Sequence, residues 1–247
     1  MKLTIVGSGD AFGSGGRANT CFLLDLGKTT VAVDFGATSL VQMRRLELDP
    51  KEIDVIVLSH LHGDHFGGIP TLLLYRQFDC RRRRPLTIVG PEGTRERLLA
   101  ASEIFFPGTS TIDWKFELDV VDLPCGEVWT EGGLELVTHE VVHPSGAPST
   151  GVRLKVGDKL FAYSGDSEWT ENLVEIADGA DLFICECYKP SGSPTYHMSF
   201  ETIVRQRANL RAARIMLTHM SDEMLAVLDE AVAQGYEAAH DGLVVEI

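Results

Sequence analysis

An α/β layered domain with mixed sheets is the fold class that the 247-residue sequence predicts. Three observations predict it. Short runs rich in Val, Ile and Leu recur from end to end, each with Gly, Asp or Pro nearby. Helical patterns alternate with these runs towards both ends. The centre is strand-rich without such patterns, which reads as antiparallel sheet. Helices covering sheets of this kind give a layered α/β domain.

In chain order, the strands are expected at "KLTIV", "CFLLDL", "TVAVD", "DVIVLS", "LTIVG", "ELDVVDL", "LELVTHEVV", "VRLKV", "KLFAYS", "DLFICE" and "ARIMLT". Helices are expected at 38–46, 70–78, 93–102, 200–210 and 222–234. In the last, "DEMLAVLDEAVAQG", apolar residues recur at three- and four-residue steps and Gly235 is a plausible stop. "SEWTENL" (167–173) reads as a further helix start, with Ser167 as its cap and Trp169 packing. No linker or low-complexity segment divides the chain, so residues 1–247 are expected to form a single domain.

Hydrophobic residues at 44% and charged residues at 23% are ordinary for a soluble globular protein. The net charge of −14 argues against a general binder of nucleic acid or anionic membrane, because phosphate affinity comes largely from Lys and Arg. Bound divalent cations would offset part of that charge. The five cysteines, Cys21, Cys80, Cys125, Cys185 and Cys187, form no CxxC pair and suit free thiols in a reducing cytoplasm. The apolar stretch after Met1 is too short for a signal peptide, and no run approaches the roughly 18 apolar residues of a membrane span.

One segment concentrates chemistry. "VIVLSHLHGDHFGG" (55–68) places three of the chain's eight histidines and an aspartate within six positions, directly after a strand. Alternate residues of an extended segment share a face, so His60 and His62 can point the same way. Gly63 permits a sharp turn, after which Asp64 and His65 can address a second point. One tetrahedral ion rarely takes four ligands from one loop; two ions about 3.5–4 Å apart would use them well. The pattern therefore predicts half of a dinuclear metal cage.

The other half must come from distant positions. His143 follows an apolar alternation in "VVHPSG", and His219 ends the "IMLTH" strand. Asp166, in "YSGDSE", also ends a strand and can bridge two cations with its two oxygens. "VIVLSH", "RIMLTH" and "LFAYSGD" share one shape, an apolar strand ending in a potential ligand, and strand ends gather ligands in α/β sites. His139 sits among apolar neighbours in a strand and is assigned to structure; His240 is read as a turn residue.

These blocks resemble the metallo-β-lactamase-fold hydrolases, and within them the ribonuclease Z-like branch. "GSGDAFGSGGRANTCFLLD", "SHLHGDHFGGIP", "RPLTIVGPEGT", "YSGDSEWTENL", "ADLFICECY" and "IMLTHM" match its blocks in order, over nearly the whole chain. The resemblance implies a four-layer αββα sandwich with mixed sheets. It places His60, His62 and His143 on one ion and Asp64, His65 and His219 on the other, with Asp166 bridging. It also implies that His197, in "YHMS", donates a proton and that Glu186, in "CECY", orients it. Cys185 stands where the branch has a histidine. The tRNA-processing members carry a long arm, inserted in short forms between the third metal histidine and the bridging aspartate. Here only 23 positions separate His143 from Asp166, so the arm is missing.

The remaining motifs carry less. "CRRRRP" (80–85) is the one basic run and reads as a solvated connection. "GSGDAFGSGG" (7–16) lacks the spacing of a dinucleotide fingerprint and is followed by a strand, so a turn near the metal site is expected. Cys185 and Cys187 alternate with Glu186 and are expected as core thiols on the opposite face.

Together these readings predict a cytoplasmic phosphodiesterase using two divalent ions. Zn²⁺ comes first; Mn²⁺ or Fe would also suit mixed imidazole and carboxylate ligands. Asp64, Glu186 and His197 are expected to share in catalysis. The expected substrate is a small-molecule or short phosphodiester, with tRNA disfavoured, no membrane partner, and a homodimer left open. Hydrolysis of a carboxylic ester, lactone or thioester, an armless tRNA-processing endoribonuclease, and a redox or non-enzymatic metal protein are the competing readings.

Overall fold

The computed structural model describes residues 1–79 and 84–247. Its strands are β1 (Lys2–Gly7), β2 (Cys21–Asp25), β3 (Thr30–Val33), β4 (Val55–Val57), β5 (Leu86–Gly90), β6 (Leu118–Asp122) and β7 (Val128–Glu131). They continue with β8 (Leu134–Val141), β9 (Ser149–Val156), β10 (Lys159–Tyr163), β11 (Leu182–Glu186), β12 (Ile215–Thr218), β13 (Glu237–Ala238) and β14 (Val244–Glu246). Two seven-stranded sheets result, in the orders β14-β1-β2-β3-β4-β5-β6 and β13-β12-β11-β10-β9-β8-β7. Each sheet is mixed. Strands β3 to β6 and β10 to β13 run parallel, and the other halves pair antiparallel.

Three buried apolar clusters set the layers. One lies between the sheets, where Leu3, Phe22 and Val55 of the first meet Leu136, Phe161 and Ile184 of the second. The second lies on the outer face of the first sheet, under α1 (Ser39–Arg45), α2 (Gly63–Phe66), α3 (Ile69–Phe78) and α4 (Thr94–Phe105). The third lies on the outer face of the second sheet, under α5 (Asn172–Ala177), α6 (Phe200–Gln206), α7 (Asp222–Leu225) and α8 (Leu228–Ala233). Helix, sheet, sheet and helix thus form the expected αββα sandwich. The central parallel strands are covered on both faces, which explains their near-continuous Val, Ile and Leu content.

All eleven expected strands form. Those not foreseen, β7, β13 and β14, are edge strands with exposed or half-buried residues and no buried face to pattern them. The hairpin from β7 to β8 did have a signal in Gly132–Gly133, both at positive φ as a two-residue turn demands. The helix expected over 222–234 divides into α7 and α8. Its first turn is tied to the loop after β1, where Asp222 Oδ1 accepts the Gly15 N–H at 2.9 Å and Leu225 packs over Gly15. Ser167 caps no helix: α5 starts at Asn172, and the Ser167 hydroxyl accepts the Val142 N–H at 3.0 Å and donates to the Glu168 carbonyl. Trp169 does pack against the outer cluster, and Cys185 and Cys187 are buried in it. Among the described residues, no helix is long and apolar enough to cross a membrane.

Candidate metal centre

The ends of strands from both sheets meet at one edge of the sandwich. His60, His62, Asp64 and His65 follow β4, with Asp64 and His65 in the short α2. From the facing sheet, His143 follows β8, Asp166 follows β10 and His219 follows β12. Gly165, at φ 64°, turns the chain into Asp166; a Cβ there would lie 2.5 Å from the Thr150 carbonyl oxygen. The three strand ends that share one shape in the sequence are therefore neighbours in space.

Asp166 is the focus. Its Oδ2 lies 3.3 Å from His65 Nε2 and His219 Nε2, 3.9 Å from His60 Nε2 and 4.0 Å from His143 Nε2. Asp64 Oδ2 lies 3.3 Å from both His65 Nε2 and His219 Nε2. His62 Nδ1 and His143 Nε2 approach to 3.0 Å. Among the described residues three candidate ligand groups form: His60, His62 and His143; Asp64, His65, Asp166 and His219; and Asp166, Glu186, His197 and His219. All seven residues expected as ligands come together, with Asp166 grouped beside Asp64, His65 and His219.

The histidines are oriented by their other nitrogens. His65 Nδ1 donates to Asp34 Oδ2 at 2.7 Å, His143 Nδ1 donates to the Tyr196 carbonyl at 2.8 Å, and His60 Nδ1 faces Ser59 Oγ at 3.1 Å. The Ser59 hydroxyl in turn donates to Asp34 Oδ2 at 2.7 Å. Each arrangement leaves an Nε2 lone pair directed inward, the usual support of a metal-binding histidine. His60 Nε2, His65 Nε2 and Asp166 Oδ1 are buried without a hydrogen-bond partner among the described residues. Buried polar atoms are normally satisfied. These orphans, with His219 Nδ1 a fourth, lie on one imidazole–carboxylate cluster and fit divalent cations, so the residues present fit the metals that their spacing predicts.

The electrostatics agree. Burial and the neighbouring His65 push His60 well below the ordinary histidine range, so it is neutral and ready to ligate. Burial opposes charge on His219 too, but Asp166 and Asp64 outweigh it and push that ring up to about 10. The same carboxylates raise His65. Protons at these rings answer a concentration of negative charge that cations in the same place would neutralise.

Backbone strain gathers here as well. Asp34, Tyr196 and His219 have φ of 58°, 63° and 57°, and only Glu47 joins them among non-glycine described residues. Such strain persists where the surroundings over-determine it, typically at functional sites.

His197 and Glu186 adjoin the cluster. Glu186 Oε1 accepts a short hydrogen bond from His197 Nδ1 and lies 3.5 Å from His219 Nδ1; its Oε2 accepts the Ser167 N–H at 2.7 Å. Burial would lower the His197 pKa, but the Glu186 hydrogen bond and charge outweigh it and raise it above the ordinary value. The His197 ring stacks on His219 at 5.9 Å between centroids. A cavity of about 210 Å³ opens over the cluster, and His197, Tyr188, Asp10 and Phe12 share its lining with the ligands. The loop after β1 is thus the expected turn near the metal site.

Asp34, Ser59 and the Tyr196 carbonyl were missed in the sequence. Asp34 had a signal, since it ends the apolar strand "TVAVD" as Asp166 ends its own strand. The carbonyl had none, because its role depends only on backbone direction. His139 faces Glu175 at 3.5 Å on β8, and His240 is exposed, both away from the cluster as expected.

The family described as anti-Pycsar protein Apyc1 matches residues 1–240. The chain belongs to that family. It is 31% identical over 226 residues to the uncharacterized protein Mb1374 of Mycobacterium bovis, covering 89% of this chain and 81% of the relative. It is 24% identical over 303 aligned positions to ribonuclease Z of Methanothermobacter thermautotrophicus, covering 100% and 97%. Among solved structures, the metallo-β-lactamase fold protein YhfI from Bacillus subtilis superposes with a TM-score of 0.82 at 21% identity, covering 100% of this chain and 98% of that one. The metallo-β-lactamase fold read from the sequence stands, and the similarity to ribonuclease Z accords with the branch read there.

Proposed function

We propose that this protein is a metal-dependent hydrolase that uses two divalent cations, Zn²⁺ foremost, to cleave small phosphodiesters. The observation that carries this reading is the meeting of four histidine Nε2 atoms at Asp166 Oδ2, beside a His197–Glu186 pair on the same cavity. His60, His62 and His143 would hold one cation, Asp64, His65 and His219 the other, and Asp166 would bridge. When bound, such ions supply a water nucleophile at neutral pH and neutralise charge on the phosphoryl oxygens.

The chain's own groups complete the chemistry. Glu186 accepts the His197 Nδ1–H and stabilises the doubly protonated ring, the form in which Nε2 also carries a proton for the departing oxygen. The Glu186 hydrogen bond and charge, which outweigh burial and raise the His197 pKa, favour that protonated form. An alkoxide leaving from phosphorus needs this proton. Glu186→Gln removes the charge that raises His197. The alkaline limb of the pH–rate profile is therefore expected to move to lower pH, while bound metal stays unchanged. An unmoved limb would mean that another group supplies the proton.

Substrate size follows from the strands. Between His143 and Asp166 the chain builds only β9, β10 and the turn joining them. The alignment with ribonuclease Z spans 303 positions against the 247 residues here, a difference of 56. Of the basic run, Arg81, Arg82 and Arg83 lie outside the described residues, and Arg84 is engaged by Asp54 at 2.6 Å and Glu52 at 3.4 Å. With a net charge of −14 there is no general electrostatic compensation for a missing arm. Small phosphodiesters are expected to be cleaved, and tRNA precursor poorly or not at all at physiological salt. Competing the two substrates kinetically checks this. Efficient, strongly salt-dependent cleavage of the precursor would contradict it.

A further inference from the structure

One wall of the metal cavity is supplied by no metal ligand. Phe12 lines the cavity yet is 83% exposed. A lone exposed apolar residue is ordinary. This one is held in place. The Asp10 carboxylate accepts the Phe12 N–H at 3.1 Å, the Ser14 N–H at 2.9 Å and the Ser14 hydroxyl at 2.7 Å. The Gly15 N–H donates to Asp222 of α7 at 2.9 Å.

The base of the loop is equally fixed. The Gly9 N–H donates to the Ala18 carbonyl at 2.7 Å, and a Cβ on Gly7 would lie 2.0 Å from the Asn19 carbonyl oxygen. The loop therefore keeps a large apolar ring in water beside the cavity instead of folding it down. Tyr188 adds a second ring to the same lining, 4.8 Å from His197 between centroids.

The cavity is small, about 210 Å³, and its polar end is the metal cluster. Ligand cavities that enclose a whole drug-sized molecule run from about 300 Å³ upward. With the phosphate on the metals, the rest of a larger substrate extends out of the cavity, whose lining Phe12 shares with Asp10, Ala11, Tyr188 and His197. A flat apolar ring there gains contact from a flat π-face and little from a hydroxyl-rich or charged group.

We propose that Phe12 determines specificity, as a stacking platform for a planar ring borne by the phosphate ester, either a nucleobase or an aryl group. The proposal rests on the phosphodiesterase reading and names the substrate class of that same site. Stacking of a base on an aromatic side chain changes affinity by about 5- to 150-fold.

The test is calorimetric binding of three monoesters to metal-loaded native protein and to Phe12→Ala, Phe12→Leu and Phe12→Trp. Thymidine 5′-phosphate carries a base, phenyl phosphate an aryl ring and methyl phosphate neither. Phe12→Ala and Phe12→Leu are expected to weaken the ring-bearing esters by about 5- to 150-fold and to leave methyl phosphate unchanged. Phe12→Trp should retain tight binding. Loss confined to one ring-bearing ester supports the platform and identifies its ring. Equal loss for all three, no loss, or no binding of either ring-bearing ester by the native protein overturns it. Metal content, which the exposed Phe12 does not touch, should be equal in every variant. Turnover of methyl p-nitrophenyl phosphate by the native protein is measured separately: its absence overturns the phosphodiesterase reading, whatever the monoesters do.

Discussion

Asp166→Ala is expected to lose most of its bound metal and all measurable turnover. Asp166 is the one carboxylate whose oxygen lies within 4.0 Å of four ligand histidines, two from each proposed cation's set. No other described residue can take over that position. Asp64 reaches only the His65 and His219 side, and Glu186 is hydrogen-bonded to His197 and Ser167 and lies beside His219 Nδ1. Alanine also leaves His60, His65 and His219 facing a gap without the charge that drew cations to it. Elemental analysis of purified protein, beside a thermal melt to confirm folding, measures the effect. Full metal occupancy with normal turnover would remove Asp166 from the centre.

His197→Ala should behave differently: metal content intact, rate reduced. General acid catalysis typically contributes about 10²–10⁴-fold. The loss should depend on the leaving group. An alkoxide that must be protonated as it departs should suffer the full effect, whereas p-nitrophenolate, stable as an anion, should suffer little. His197 is hydrogen-bonded to Glu186, stacked on His219 and open to the cavity, a geometry that suits this role. Equal losses on both kinds of substrate would mean that His197 positions substrate and does not deliver the proton.

The metal centre was legible because its chemistry is dense in the sequence. His60, His62, Asp64 and His65 occupy one short loop, and Asp166 and His219 each close an apolar strand. His143 was harder to find, since it follows β8 beyond an isolated bridge from Val142 to Glu168. The buried strands were legible for a related reason, as they face cores on both sides and are apolar throughout. The edge strands β13 and β14 have no such face. The break between α7 and α8 has no local signal, and α7 is held by a distant contact, that of Leu225 and Asp222 with Gly15. Ser167 shows the same limit. It looked like a helix cap, but its N–H holds Glu186 and its hydroxyl holds β8's continuation at Val142. Local pattern cannot distinguish a cap from a tertiary hydrogen bond.

The most direct measurement loads the native protein with zinc and follows bis(p-nitrophenyl) phosphate beside p-nitrophenyl acetate, with bound metal counted in the same sample. The expected result is two ions per chain and hydrolysis of the phosphodiester that disappears on chelation and returns with metal. Two ions bound with turnover of the acetate alone, or of neither substrate, would contradict a dinuclear phosphodiesterase.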